Sequence, residues 1–246
     1  MRDMSGKRYW LVGASEGLGR ALAEQMSREG IELILSARNP ETLASLADSL
    51  PGRTTAVPCD VADMGSVTAA ASTIGDIDGV VVLAGVYWPM SAVDWEPEQA
   101  VQMADINFTG TVRVLGSVVP GMVARGAGHV VITGSLSGFR GLPGAIGYGA
   151  SKAGVMSLAE SMVADLRGTG VDVQLVNPGF VKTRLTDQND FKMPFIMEPD
   201  AAAREMLDHM RTDGFKKSFP GMFSMLFRGA QFLPDWLYYR MFSKAA

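Results

Sequence analysis

Short apolar runs along the chain alternate with longer stretches in which apolar residues return at helical spacing. Tyr9 to Val12 forms the first run. After a glycine-rich turn, Ala21, Leu22 and Met26 recur on one helix face. Ile31 to Ala37 predicts a second strand, Leu43 to Leu50 a helix, and Thr54 to Val57 a third strand. Gly79 to Leu83 carries no charge, as expected of a strand covered on both faces. From Glu98 to Ala124 a long helical pattern is broken at Asn107. An asparagine amid apolar helix is unfavourable unless its amide has a role: either it bonds a neighbouring backbone group, or the backbone opens there to admit water. Val130 to Thr133 predicts a further strand, Gly149 to Leu166 a helix, and Val171 to Val176 a strand that runs into Asn177-Pro178-Gly179. Strands and helices in this order predict an α/β fold, a parallel sheet with helices on both faces.

Composition narrows the function classes. The 246 residues, 47% hydrophobic and 20% charged, supply a core for one domain spanning 1–246, with no linker or repeat. A net charge of -4 argues against nucleic acid as a partner, since phosphate binding needs a basic face. The single cysteine, Cys59, excludes a disulfide framework and a multi-cysteine metal site, and no metal is expected. A reducing cytoplasm is the expected compartment. Met1 to Lys7 is short and mixed in charge, unlike a signal peptide, and no apolar run reaches the length of a spanning helix.

The candidate chemistry gathers at Ser135 to Lys152. Tyr148 and Lys152 lie four residues apart, so a helix presents both on one face. A cation about 4 Å from a phenol, at an effective dielectric of about 20, attracts its phenolate by roughly 4 kcal/mol before desolvation. That is enough to expect a phenol acidified by about two pH units toward neutrality. Ser135 stands thirteen positions before Tyr148, at the carboxyl end of a strand, where open α/β sheets place ligands. Ser137 reads as its loop-stabilising neighbour. No Gly-x-Ser-x-Gly elbow is present here, and His129 and His209, away from any matching motif, read as structural or surface residues. Near the N-terminus, Gly13-Ala14-Ser15-Glu16-Gly17-Leu18-Gly19 between a strand and a helix forms an anion site, because glycines let backbone approach a pyrophosphate.

Together the Gly-x-x-x-Gly-x-Gly turn, Ser135 and Tyr148-x-x-x-Lys152 resemble the short-chain dehydrogenase/reductase family, over residues 7–183. The resemblance implies a Rossmann-like doubly wound sheet and hydride transfer between a nicotinamide cofactor and a carbonyl or secondary alcohol. It assigns Ser135 to the substrate oxygen and Tyr148 to proton exchange. Lys152 is assigned to acidifying the phenol and binding the ribose, and Asn107 to holding a water that links the lysine to solvent. Cofactor contacts are implied for Gly13, Ser15, Gly17, Leu18 and Gly19, and for Asp60 and Val61 around the adenine. Ala84, Gly85, Tyr148 and Lys152 are further implied contacts, as are Pro178, Gly179, Val181 and Thr183 at the nicotinamide. Asp60 also reads as a helix N-cap ahead of the Ala-rich stretch at 69–71. Arg38, one past the position where NAD-preferring members carry aspartate, favours NADP(H) over NAD(H), although Glu16 stands where NADP-using relatives often have a basic residue. Arg38 also reads as a solvated charge at a strand end. Where relatives show a second asparagine before Ala84-Gly85, this chain has Leu83, which removes a polar strut. That departure is the one support for an alternative, a catalytically silent nucleotide-sensing or scaffold protein.

Residues 184–246 are individual. Leu185 to Met197 sets Phe191, Met193, Phe195, Ile196 and Met197 among polar residues, the composition of a substrate lid for a bulky apolar substrate. Residues 221–246 read as two amphipathic helices split by Pro234, with Arg228, Arg240 and Lys244 interspersed. They would cover the substrate pocket or a subunit interface, or lie on a membrane surface at its periphery. The family's usual assemblies imply a homodimer or homotetramer.

Overall fold

The computed structural model of the chain describes residues 1–242; Lys244 of the expected tail lies outside them. Seven strands form one parallel sheet: β1 (Arg8–Val12), β2 (Glu32–Ser36), β3 (Thr54–Ala56), β4 (Gly79–Val82), β5 (Gly128–Thr133), β6 (Val171–Pro178) and β7 (Lys216–Phe219). Their order is β3-β2-β1-β4-β5-β6-β7, so the direction of winding reverses between β1 and β4. In such sheets the crevice beyond the carboxyl ends of the strands at that reversal is the ligand site.

Alternation along the strands explains why both faces are covered. Tyr9, Leu11, Leu33, Leu35, Val81 and Val131 point into a core shared with α1 (Gly17–Arg28), α2 (Pro40–Ser49) and α7 (Pro199–Met210). The intervening Trp10, Val12, Ile34, Val80, Val82 and Ile132 point to the opposite core, against α3 (Met64–Ile74), α5 (Gly110–Arg125) and α6 (Ile146–Asp165). Burial on both sides is why these strands lack the polar alternation of a half-exposed sheet.

The expected elements are present with shifted ends, and two were not foreseen. α7 and β7 lie in residues 199–219, where the sequence reading placed nothing. The break at Asn107 is a π-helical segment, Ala104–Thr109, between α4 (Pro97–Met103) and α5. Asp60 does not cap α3. That position belongs to Asp63, whose carboxylate accepts from the Gly65 N–H at 2.8 Å. α8 (Gly221–Ala230) and α9 (Asp235–Phe242) are separated at Pro234, as the tail pattern predicts.

Candidate active site

The glycine turn leaves β1 and enters α1 under close constraint. Gly13 has φ +94°, and a Cβ there would stand 2.5 Å from the Ala84 nitrogen. At Gly17, φ +51°, a Cβ would stand 2.7 Å from Thr183 Cγ2. Side chains are therefore excluded where backbone N–H groups at the start of α1 face the crevice, the arrangement a pyrophosphate needs.

That crevice, about 1110 Å³, is lined by the turn residues Gly13, Ser15, Gly17, Leu18 and Gly19, and by Arg38, Asp60 and Val61. Ala84 and Gly85 from beyond β4 line it too, as do Ser135, Tyr148 and Lys152, and Pro178, Gly179, Val181 and Thr183 beyond β6. All the expected cofactor residues thus face one space, and a dinucleotide fits its glycine cradle. Arg38 is exposed at its edge, in no ion pair among the described residues. Glu16, whose charge counts against a phosphate, is paired with Arg184 at 3.0 Å. Leu83, in place of the polar strut, packs against the core and donates its N–H to the Val12 carbonyl at 2.8 Å. At Val181 a bridge to Met197 uses the Lys182 N–H and the Phe180 carbonyl, which leaves the Val181 N–H outside that pairing.

The reacting end lies past β5. Ser135, buried and extended, begins a 3₁₀ turn (Leu136–Gly138), and its Oγ lies 2.9 Å from Ser137 Oγ while accepting from the Ser137 N–H at 3.2 Å. Ser137 is therefore the orienting neighbour. α6 begins at Ile146, three residues earlier than the sequence pattern suggests, so Tyr148 and Lys152 share its first turns. Lys152 is buried, donates from Nζ to the Thr133 carbonyl at 2.9 Å, and sits 5.8 Å from the Tyr148 ring centroid.

The electrostatics reverse one expectation. Burial pushes the Tyr148 phenol up to about 12, opposed by the Ser135 hydroxyl and reinforced by Tyr87. Burial likewise pulls Lys152 down to about 8. The cost of removing each group from water outweighs the attraction between them, so the acidified phenol expected from charge alone is not present. At rest the phenol is neutral.

Asn107 is fully buried, with both ends of its amide bonded. Its Oδ1 accepts from the Val86 N–H at 2.8 Å, and its Nδ2 donates to the Val86 carbonyl and to Ser151 Oγ, each at 3.0 Å. The backbone-bonding alternative is thus present. Even so, a Cβ on Gly85 would lie 3.3 Å from Asn107 Oδ1 and 3.8 Å from Lys152 Nζ, so the absence of a side chain there leaves a gap between the two groups.

Two contacts had no sequence signal. Tyr87 stands edge-on to Tyr148, centroids 5.1 Å apart, and donates its hydroxyl to Asn189 Oδ1 at 2.9 Å. Arg140, in the loop before α6, holds the tail through the Ala230 and Leu233 carbonyls and Asp235. The two histidines, His129 and His209, are both buried.

Known proteins share this construction. Residues 7–193 match the short chain dehydrogenase family. An uncharacterized oxidoreductase of Myxococcus xanthus is 37% identical over 245 residues, 97% of each chain. A 3-oxoacyl-[acyl-carrier-protein] reductase of Rickettsia prowazekii is 29% identical, over 76% of this chain and 78% of its own. A solved structure of a short chain dehydrogenase/reductase family protein superposes with a TM-score of 0.81 at 27% identity, covering 88% of this chain and 97% of that one. With the family match over residues 7–193 and a relative 37% identical over 97% of the chain, the chain belongs to the short-chain dehydrogenase family of oxidoreductases.

Proposed function

We propose that the protein transfers a hydride reversibly between NADP(H) and a carbonyl or secondary alcohol on an apolar substrate. The observation that carries this reading is the convergence of Ser135, Tyr148 and Lys152 at one end of the crevice whose other end holds the glycine turn and Arg38. The bound nicotinamide would supply the hydride; the protein supplies orientation and charge.

Ser137 can donate to Ser135 through both its N–H and its hydroxyl, which leaves the Ser135 proton for the substrate oxygen. Tyr148, neutral at rest, is an acid fit for an alkoxide, which binds a proton far more tightly than a phenolate does. Lys152, anchored to the Thr133 carbonyl, stabilises the phenolate that this transfer creates and would hold the cofactor ribose. A water in the gap beside Gly85 would join Lys152 to Asn107 and carry the replacement proton from solvent. Arg38, free of carboxylate partners among the described residues, suits a 2′-phosphate.

The segment 184–197 leaves and rejoins the body at the Val181–Met197 bridge and carries Phe191 and Phe195, so it reads as an apolar substrate lid. The homodimer or homotetramer that the family resemblance implies would be built on the helices that carry Asn107 and Tyr148. The buried Cys59 suits a reducing compartment.

The test is Tyr148→Phe, assayed with NADPH and a panel of ketones and aldehydes of increasing chain length. Turnover should fall by about 10²- to 10⁴-fold because the proton-exchanging hydroxyl is gone, whereas NADPH should still bind through the glycine turn, Arg38 and Lys152. Near-normal turnover refutes the assignment.

A further inference from the structure

α8 and α9 turn one side toward the protein and the other toward water, and the outer side is apolar. Phe223, Ser224, Phe227 and Ala230 of α8, and Leu237 and Tyr238 of α9, face inward or are half-buried. On the outside, Met222 is 80% exposed, Met225 68%, Phe232 87% and Trp236 69%, with Leu226 and Tyr239 at least half exposed. Isolated exposed apolar residues need no explanation; a run of them along both helices does.

The charges choose the occupant. Within residues 219–242 the charged side chains are Arg228, Asp235 and Arg240. Asp235 is held by Arg140 at 2.5 Å, whereas Arg228 and Arg240 are exposed and in no ion pair with another described residue. On a chain of net charge -4, the described residues of α8 and α9 therefore present only positive free charge. A second copy of the chain is a poor fit, because a two-fold contact sets each patch against itself and brings arginine toward arginine. Apolar and aromatic side chains edged by arginine suit the headgroup region of an anionic bilayer. Among the described residues no helix is long and apolar enough to cross a membrane, so the contact is one of surface. Phe223 joins this face to the segment above the crevice, its ring 5.5 Å from Phe195 and 5.9 Å from Phe180. Residues 191–197 add exposed Phe191, Phe195 and Ile196 with Lys192 and no acidic side chain.

We infer that the outer face of α8 and α9 docks the protein on anionic lipid surfaces. The mouth of the crevice then lies beside the bilayer, where apolar substrates concentrate.

The full-length protein is sedimented with vesicles of phosphatidylcholine, with and without phosphatidylserine. Binding should be to the anionic vesicles and weaken as salt rises. Met225→Glu combined with Trp236→Glu should abolish it, with reduction of a water-soluble ketone and the circular dichroism spectrum unchanged. Arg228→Gln with Arg240→Gln should weaken it by about thirty-fold, near five-fold per arginine at the lipid surface. No vesicle binding by the wild type, or equal binding to neutral vesicles, overturns the inference. So does light scattering that shows an oligomer dissociated by the two glutamates, since the face would then be a subunit contact. The readout is sedimentation, so it stands or falls independently of any turnover.

Discussion

Acid should destabilise this fold steeply through one side chain, His129 on β5. The ring is buried, with the Tyr9 hydroxyl 2.8 Å from Nδ1, Gln174 Oε1 3.0 Å from Nε2, and Arg2 Nη1 3.1 Å from Nε2. A neutral imidazole meets these neighbours as donor at one nitrogen and acceptor at the other. An imidazolium must donate at both, and it then faces the Arg2 guanidinium without water between them. Burial first, and Arg2 second, accordingly pull His129 from its ordinary 6.5 to about 3, with the Gln174 bond opposing them and His209 adding a little. Because the folded state holds the proton less tightly than the unfolded chain, the stabilisation is complete above pH 6.5 and is lost as pH falls toward 3. At about 1.4 kcal/mol per pH unit the whole span is worth on the order of 5 kcal/mol, and roughly half of it is gone by pH 4.5. The measurement is urea unfolding from pH 8 to 4.5 for the wild type and His129→Asn. The variant starts less stable, because Tyr9 and Gln174 lose their partner, but its stability should fall more slowly, by on the order of 2 to 3 kcal/mol over that range. His209, whose burial lowers it in the same sense, titrates in both proteins and cancels in the difference. Equal acid slopes would show that His129 is not the group that takes up the proton on unfolding.

Two further substitutions probe the crevice. Arg38→Asp should weaken NADPH binding by about 10- to 100-fold, the worth of a hydrogen bond to a charged group, and leave NADH binding intact or improved. Unchanged NADPH affinity in a fluorescence titration would remove Arg38 from the 2′-phosphate. Tyr87→Phe keeps the ring edge against Tyr148 but deletes the bond to Asn189, so KM for an apolar ketone should rise about five-fold at constant kcat. A fall in kcat at constant KM would place Tyr87 in the chemistry instead of in holding the segment above the crevice.

Much of this was legible in the residues, because it depends on local rules. β4 could be read as buried on both faces from its lack of charge, and all four of its residues are buried. The i, i+4 spacing of Tyr148 and Lys152 fixed their shared helix face. The break at Asn107 could be read as a break, although only coordinates show it to be a π-turn whose amide reaches the Val86 backbone. What was not legible depends on distant neighbours. β7 reads Lys216-Lys217-Ser218-Phe219, with nothing of the buried-strand pattern, and is a strand because β6 offers it a free edge. Glu16 is neutralised by Arg184, far along the chain. The phenol's resistance to ionisation follows from burial, which no count of nearby charges reveals.

The tail illustrates why its two faces must be read separately. Arg140 lies in the loop that leads to Tyr148, and its guanidinium donates to the Ala230 carbonyl at 3.0 Å, the Leu233 carbonyl at 2.7 Å and Asp235 at 2.5 Å, while lying 4.0 Å over the Tyr238 ring. Tyr238 closes the circuit by donating its hydroxyl to the Gly141 carbonyl at 2.7 Å. The junction of α8 and α9 is thus tied on its inner side to the residues that set where α6 begins, and α6 sets where the phenol sits. An arginine bonded on several sides and stacked on an aromatic ring loses little further freedom, so the loop it anchors is held in one conformation before substrate arrives. This requirement accounts for Tyr238 on the inner side of α9, as ring packing on Phe180 and Phe195 does for Phe223. It leaves Met222, Met225, Phe232 and Trp236 without a structural task, although each costs solubility where it stands. Side chains that stabilise nothing within the chain while exposing apolar surface to water point to a surface outside it.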